Sequence, residues 1–215
     1  MMTFPPFFAL APQLRVRDPL AAFLGASDDG VLDYRYEDVV RLAGHSCPTV
    51  AGAYLMLIAG LSYLYDEELP ERGGIDVFMR GEPEQGTTGV MASVATLLTG
   101  AAAETGFGGV GPAKRFARRG LLQFGADIEG VIALRRRDTG AGVLLDIDTG
   151  AVPHAAEMAG VMPAAMGGVA DAAGLESFGA LWQDRVRRML IDHAHDPKLV
   201  HLYDWLPDAA AASAA

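Results

Sequence analysis

Only one cysteine, Cys47, occurs among 215 residues. The chain can therefore form no internal disulfide, and it cannot build a zinc ribbon or finger from cysteine pairs of its own. Basic residues are also sparse. Seventeen Lys and Arg face 27 Asp and Glu, for a net charge of -10 at pH 7, a balance that argues against nucleic acid or an anionic membrane as the main partner. The longest uncharged apolar run, residues 50–65, falls short of the roughly 18–20 apolar residues of a membrane span. It also contains Gly52, Gly60 and Ser62 and ends at Asp66, Glu67 and Glu68, so a buried core helix is expected there. Residues 1–16 have Phe4, Phe7, Phe8 and Leu10 broken by prolines and no basic start, unlike a secretory leader. Nucleophile-elbow, phosphate-loop and His-Glu-x-x-His patterns are missing. A cytoplasmic protein is the expectation.

A chain of this length suits one domain with a sizeable core. Residues 1–30 read as an N-terminal extension, 31–207 as the domain, and 208–215, rich in alanine, as a frayed tail. Asp18-Pro19 before Leu20–Leu24 and Gly25 has the pattern of a capped short helix. Strands are expected near residues 31–36, 75–80, 121–124, 131–134 and 143–147, the last two joined by the Asp138-Thr139-Gly140 turn. Helices are expected near 37–42, 49–66, 90–98 and 178–193, and a methionine-rich helical stretch follows Pro153. The strand at 75–80 alternates as a half-buried strand does. In the 178–193 helix, Leu181, Trp182, Val186, Met189 and Leu190 share the apolar side, while Asp184, Arg185, Arg187 and Arg188 surround the other. Strands and helices mix without regular alternation. The fold class is therefore α+β, an antiparallel or mixed sheet packed with helices around one buried central helix. Its apolar mass predicts a homodimer.

The chemistry centres on Gly44-His45-Ser46-Cys47-Pro48, directly before the long apolar run. A thiol and an imidazole two residues apart at a helix mouth are ligand types that zinc and neighbouring transition metals select. The same pair also fits a buried structural thiol beside a capping histidine. The segment Ala43-Gly44-His45-Ser46-Cys47-Pro48-Thr49 resembles the His-Gly-His-x-Cys-Pro-Gly signature of the FmdE family, named for a component of formylmethanofuran dehydrogenase. Ala43 and Thr49 stand where that family has His and Gly. Arg136-Arg137-Asp138-Thr139-Gly140-Ala141-Gly142-Val143 resembles the family's strand, turn and returning strand, and the resemblance spans residues 34–190. It implies a transition metal, zinc by default or a haem iron, held by His45 and Cys47. The open site it implies would act on a small anionic substrate, or else serve a carrier, a sensor or an interaction component of a larger complex.

Further candidates surround this motif. Glu84, Thr87 and Thr88 precede a helix, where they would complete a metal site, receive a small-molecule anion, or simply cap. His154, in a loop, reads as a third ligand, a general base or an unpartnered surface histidine. Lys114, Arg115, Arg118 and Arg119 stand out in an acidic chain, either as an anion site or as a salt-bridged face. Gly106 to Gly111 matches a dinucleotide-loop pattern formally, but a helical segment precedes it and Pro112 follows, which excludes that use. His193 and His195 end the amphipathic helix, where they complement its dipole. Met158, Met162 and Met166 recur at helical spacing as core or intersubunit contacts.

Overall fold

The computed structural model describes residues 4–206; the expected frayed tail, 208–215, lies outside the described residues. The organising element is helix α3 (Pro48–Tyr65), with Cys47 at its N-cap and proline in its first turn. It carries no ionisable side chain apart from tyrosine hydroxyls, and 13 of its 18 residues are buried, with Ser62 and Tyr63 exposed near its end. A helix apolar on every side is stable in water only when other elements surround it. Here they do. The five-stranded sheet, in the order β4-β3-β5-β6-β7, packs across one side. It consists of β3 (Ile75–Met79), β4 (Leu122–Gln123), β5 (Ile132–Arg136), β6 (Gly142–Ile147) and β7 (Val200–Trp205). β3, β5, β6 and β7 pair antiparallel, and the short β4 runs parallel to β3. Helices α2 (Tyr36–Ala43) and α4 (Thr88–Thr99) cover another side of α3. The α+β class and the buried central helix are thus as expected.

The two glycines of α3 are where the sheet comes closest. A side-chain carbon at Gly60 would lie 2.9 Å from Leu145 Cδ1, and one at Gly52 would run into Ile147 Cδ1. β6 therefore rests on a groove made by these two glycines.

Residues 8–16 of the expected N-terminal extension share this core. Phe8, Ala11, Leu14 and Val16 are buried in the same cluster as α3. Tyr54 in α3 donates to the Pro12 carbonyl at 2.6 Å; the Phe8 ring meets Tyr36 edge to face, and Tyr36 meets Tyr54 at a tilt. β1 (Leu14–Arg17) pairs with β2 (Val31–Tyr34). Between them lies α1 (Pro19–Phe23), where Asp18 accepts from the amides of Leu20 and Ala21.

The half-buried reading of β3 fails: all five of its residues are buried. Phe78, Ala133 and Leu144 form a second small cluster on the far face, covered by Ala126, Ile128 and Trp205. Asp76 escapes an unpaired burial through Arg135, at 2.7 Å. α5 (Met158–Met166) and α6 (Ala172–Arg187) form a helical hairpin, and α6 passes into a π-helical turn over Arg188–Asp192. At its end His193 pairs with Asp196 at 2.8 Å, so this histidine completes a helix terminus.

Candidate functional site

The Gly44–Pro48 corner is held by backbone geometry and by α6. Gly44 ends α2 in the left-handed region, φ 74°, which glycine enters without steric cost. Cys47 then takes an extended conformation, and its Sγ accepts from the Val50 amide at 3.5 Å. The Ser46 carbonyl receives two donors from α6, Trp182 Nε1 at 3.2 Å and Gln183 Nε2 at 3.0 Å. Ser46 Oγ and the Tyr36 hydroxyl lie 3.0 Å apart, and burial pushes the Tyr36 pKa far above its ordinary value. Tyr36 therefore stays protonated at this corner.

This geometry overturns the expected metal site. Among the described residues no group of three or more His, Cys, Asp or Glu side chains is placed to hold a metal ion. The reasons are local. His45 is exposed, and its Nδ1 donates to the Ala43 carbonyl at 2.9 Å. Cys47 Sγ faces the first turn of α3. Glu84 is exposed in the loop before α4. His154 Nε2 accepts from Arg185 Nη1 at 2.8 Å, and a guanidinium at that distance repels a cation. The expected zinc or transition-metal centre on His45 and Cys47 does not form, and with it go the open metal site acting on an anion and the carrier and sensor roles. Haem fails too. The cavity beside the motif holds about 270 Å³ and neither His45 nor Cys47 lines it, whereas drug-sized ligands alone occupy pockets of roughly 300–1,000 Å³.

His154 belongs to a different arrangement. Arg185 donates from Nε to the Val152 carbonyl at 2.7 Å, from Nη2 to the Thr149 carbonyl at 2.7 Å, and from Nη1 to His154. One planar fork thus binds the loop of residues 149–154 to α6. Because the guanidinium can only donate, Nε2 is unprotonated and the neutral ring carries its proton on Nδ1. That Nδ1 is buried without a partner among the described residues, and the ring lies tilted against Trp182, centroids 5.5 Å apart.

Burial, and after it the charges of Arg185 and Arg188, hold the His154 pKa below its ordinary 6.5. As pH falls, the unfolded chain takes up this proton before the folded one does. The contribution to stability is complete above pH 6.5 and declines as pH drops through that value toward the lowered folded pKa. Urea midpoints measured from pH 8 down to pH 5 should fall more steeply for the wild type than for His154→Gln. Parallel profiles would show that the ring titrates alike in both states.

The structure brings three of the sequence candidates' neighbourhoods together around the 270 Å³ cavity. Pro48, Thr49 and Gly52 come from the start of α3, Thr87 and Met91 from α4, and Thr149 from the loop that Arg185 holds. No charged side chain lines it. Thr87 precedes α4 without a side-chain capping bond, so ordinary capping by that hydroxyl is also corrected, while Thr88 is buried against Gly81. Sequence reasoning missed Tyr36, Ser46, Gln183 and Thr149 as parts of this region. It assigned Arg185 to a solvated helix face. A fork that meets three acceptors from one loop leaves no local signature.

The basic cluster does not stay together. Arg118 is buried against Asp18 at 2.7 Å. Arg115 lies over the Phe23 and Phe116 rings, Arg119 donates to the Gly106 carbonyl, and Lys114 is exposed. Comparison with protein-family models gives no match for this chain, and comparison with curated proteins gives no significant one.

Proposed function

We propose that the chain is a small-molecule-binding protein of the FmdE-like type, whose ligand is neutral and partly apolar and binds without a metal. The observation that carries this is the cavity at the start of α3, where the Pro48-Thr49 motif, Thr87 and Thr149 converge on one uncharged lining. Apolar walls with a few convergent polar groups are the general form of a ligand pocket. Methionines 56 and 91 and Ile147 supply the walls here, and three threonine hydroxyls are available to orient a carbonyl or hydroxyl group. The type rests on the resemblance of residues 43–49 and 136–143 alone; of these, Cys47-Pro48 opens the central helix, and Asp138-Thr139-Gly140 turns β5 into β6, the strand that lies on that helix.

The test uses methyl-labelled methionine, since Met56 and Met91 line the cavity. Titration with cyclohexanone should shift these two methyl resonances saturably, and acetate should leave them in place. Thr87 is exposed at the edge of the cavity, so Thr87→Phe should fold normally and abolish the shifts. Unmoved Met56 and Met91 methyls in the wild type, or unchanged shifts in Thr87→Phe, would refute the assignment.

A further inference from the structure

A second cavity, of about 310 Å³, lies where the start of α1, the turn at residues 71–73 and the loop at residues 114–118 meet. Its lining is opposite in character to the first. Arg72, Lys114, Arg118 and Arg137 face it, with Glu71 as the only carboxylate in the lining. The neighbouring acids do not neutralise this group. Asp18 alone serves both Arg72, at 2.8 Å, and Arg118, at 2.7 Å. Glu71 is engaged by Arg17 at 2.7 Å. Asp76 is shared between Arg135, at 2.7 Å, and Arg137, at 3.5 Å. Lys114 has no carboxylate partner among the described residues. Five cations that line the cavity or pair with its lining thus meet three carboxylates, one of them shared outward. This is a concentrated positive excess in a chain of net charge -10.

The geometry around Arg118 holds that charge in place. Gly73 and Gly100 have φ of +88° and +73°, and a side-chain carbon at Gly73 would overlap the Arg118 guanidinium. Both glycines leave the slot in which it lies. The Arg118 side chain is 8% exposed and donates from Nη2 to Asp18, while its Nε and Nη1 donate to no group among the described residues. Arg72, in contrast, is spent on Asp18 and on the carbonyls of Leu97 and Thr96. Lys114 and Phe116 both lie in the left-handed region, φ 49° and 61°. Non-glycine residues adopt this region only when their surroundings enforce it.

We propose that this cavity binds a phosphate group, through Arg118, Lys114 and Arg137, with Arg72 and Asp18 as positioning residues. Cations converging from three separate segments suit a compact multivalent oxyanion better than a planar monovalent carboxylate. Lys114 is exposed and Arg137 largely so, which makes Lys114→Ala/Arg137→Gln a variant that keeps the Asp18 pairs intact. Isothermal titration of the full chain with inorganic phosphate, at constant ionic strength set by chloride, should show saturable binding that weakens at least tenfold in the double variant. Parallel titration with glycerol phosphate and with acetate identifies the source. Tighter binding of the ester marks an organic phosphate, equal binding marks free phosphate, and both support the site. Acetate binding as tight as phosphate, an unchanged affinity in the double variant, or no heat beyond the chloride control would overturn it.

Discussion

Arg185→Ala should destabilise the protein by about 3 kcal/mol, because one guanidinium serves three acceptors and charge-assisted hydrogen bonds contribute roughly 1.5–3 kcal/mol each without adding fully. The carbonyls of Thr149 and Val152 and the His154 ring would lose their donor together. Because Thr149 lines the uncharged cavity, cyclohexanone binding should weaken in the same variant. Arg185→Lys should rescue little, since a single ammonium cannot reproduce a planar fork. Urea unfolding measures the first effect and methionine methyl shifts the second. A loss under about 1 kcal/mol, or full rescue by lysine, would mean that the loop holds itself.

Asp18→Asn should cost about 3–5 kcal/mol, the loss characteristic of removing one partner from a buried ion pair. Asparagine caps a helix as well as aspartate does, so the start of α1 is preserved and the charge alone is removed. Arg118 is then left buried without a counter-ion. Its pKa is already lowered, by burial first, with Arg72 adding to that effect and Asp18 opposing it. Burial on its own would raise the Asp18 carboxyl, but the Arg72 hydrogen bond and the charges of Arg118 and Arg72 outweigh it and hold the pKa below the ordinary 3.8. The sign follows. The contribution is present above pH 3.8 and is lost as pH falls through the lower folded value. Wild type and Asp18→Asn should therefore differ most near neutrality and converge in acid. A constant gap down to pH 2 would assign the cost to packing rather than charge.

Local patterns were legible where a short stretch of chain contains its own physics. Asp18-Pro19 caps α1 and Cys47-Pro48 opens α3, because a cap needs only the next few amides. The uncharged run became the central helix, since a helix apolar on every side needs other elements packed around it. β1 and β7 were not foreseen. Their partners, β2 and β6, are supplied by the fold; β1 does alternate, Leu14 and Val16 buried and Arg15 and Arg17 exposed, a signal the sequence reading passed over. The expected half-burial of β3 failed for a related reason, because alternation reports on one face and a distant segment covers the other.

The site divides along the same line. The composition excluded disulfides and cysteine-pair zinc sites, and the motif at His45 to Pro48 marked the region where the uncharged cavity begins. Whether two potential ligands become a metal site depends on where a third and fourth donor arrive, and that is a matter of side-chain direction and long-range placement. Here His45 turns back to its own backbone, Cys47 caps α3, and His154 is taken by an arginine 31 residues further on. The basic run at residues 114–119 was visible as charge. Only the packing of α1 and the turn at residues 71–73 against it decided that Arg118 would be buried, that Arg115 and Arg119 would leave the cluster, and that Arg72 and Arg137 would join it. Sequence alone determined the caps of α1 and α3, the β5–β6 turn and the burial of the long run, because those energies come from neighbours in the chain. The two cavities, one uncharged and one positive, come from segments 30 to 100 residues apart, whose meeting is set by how α3 and the sheet fill the core.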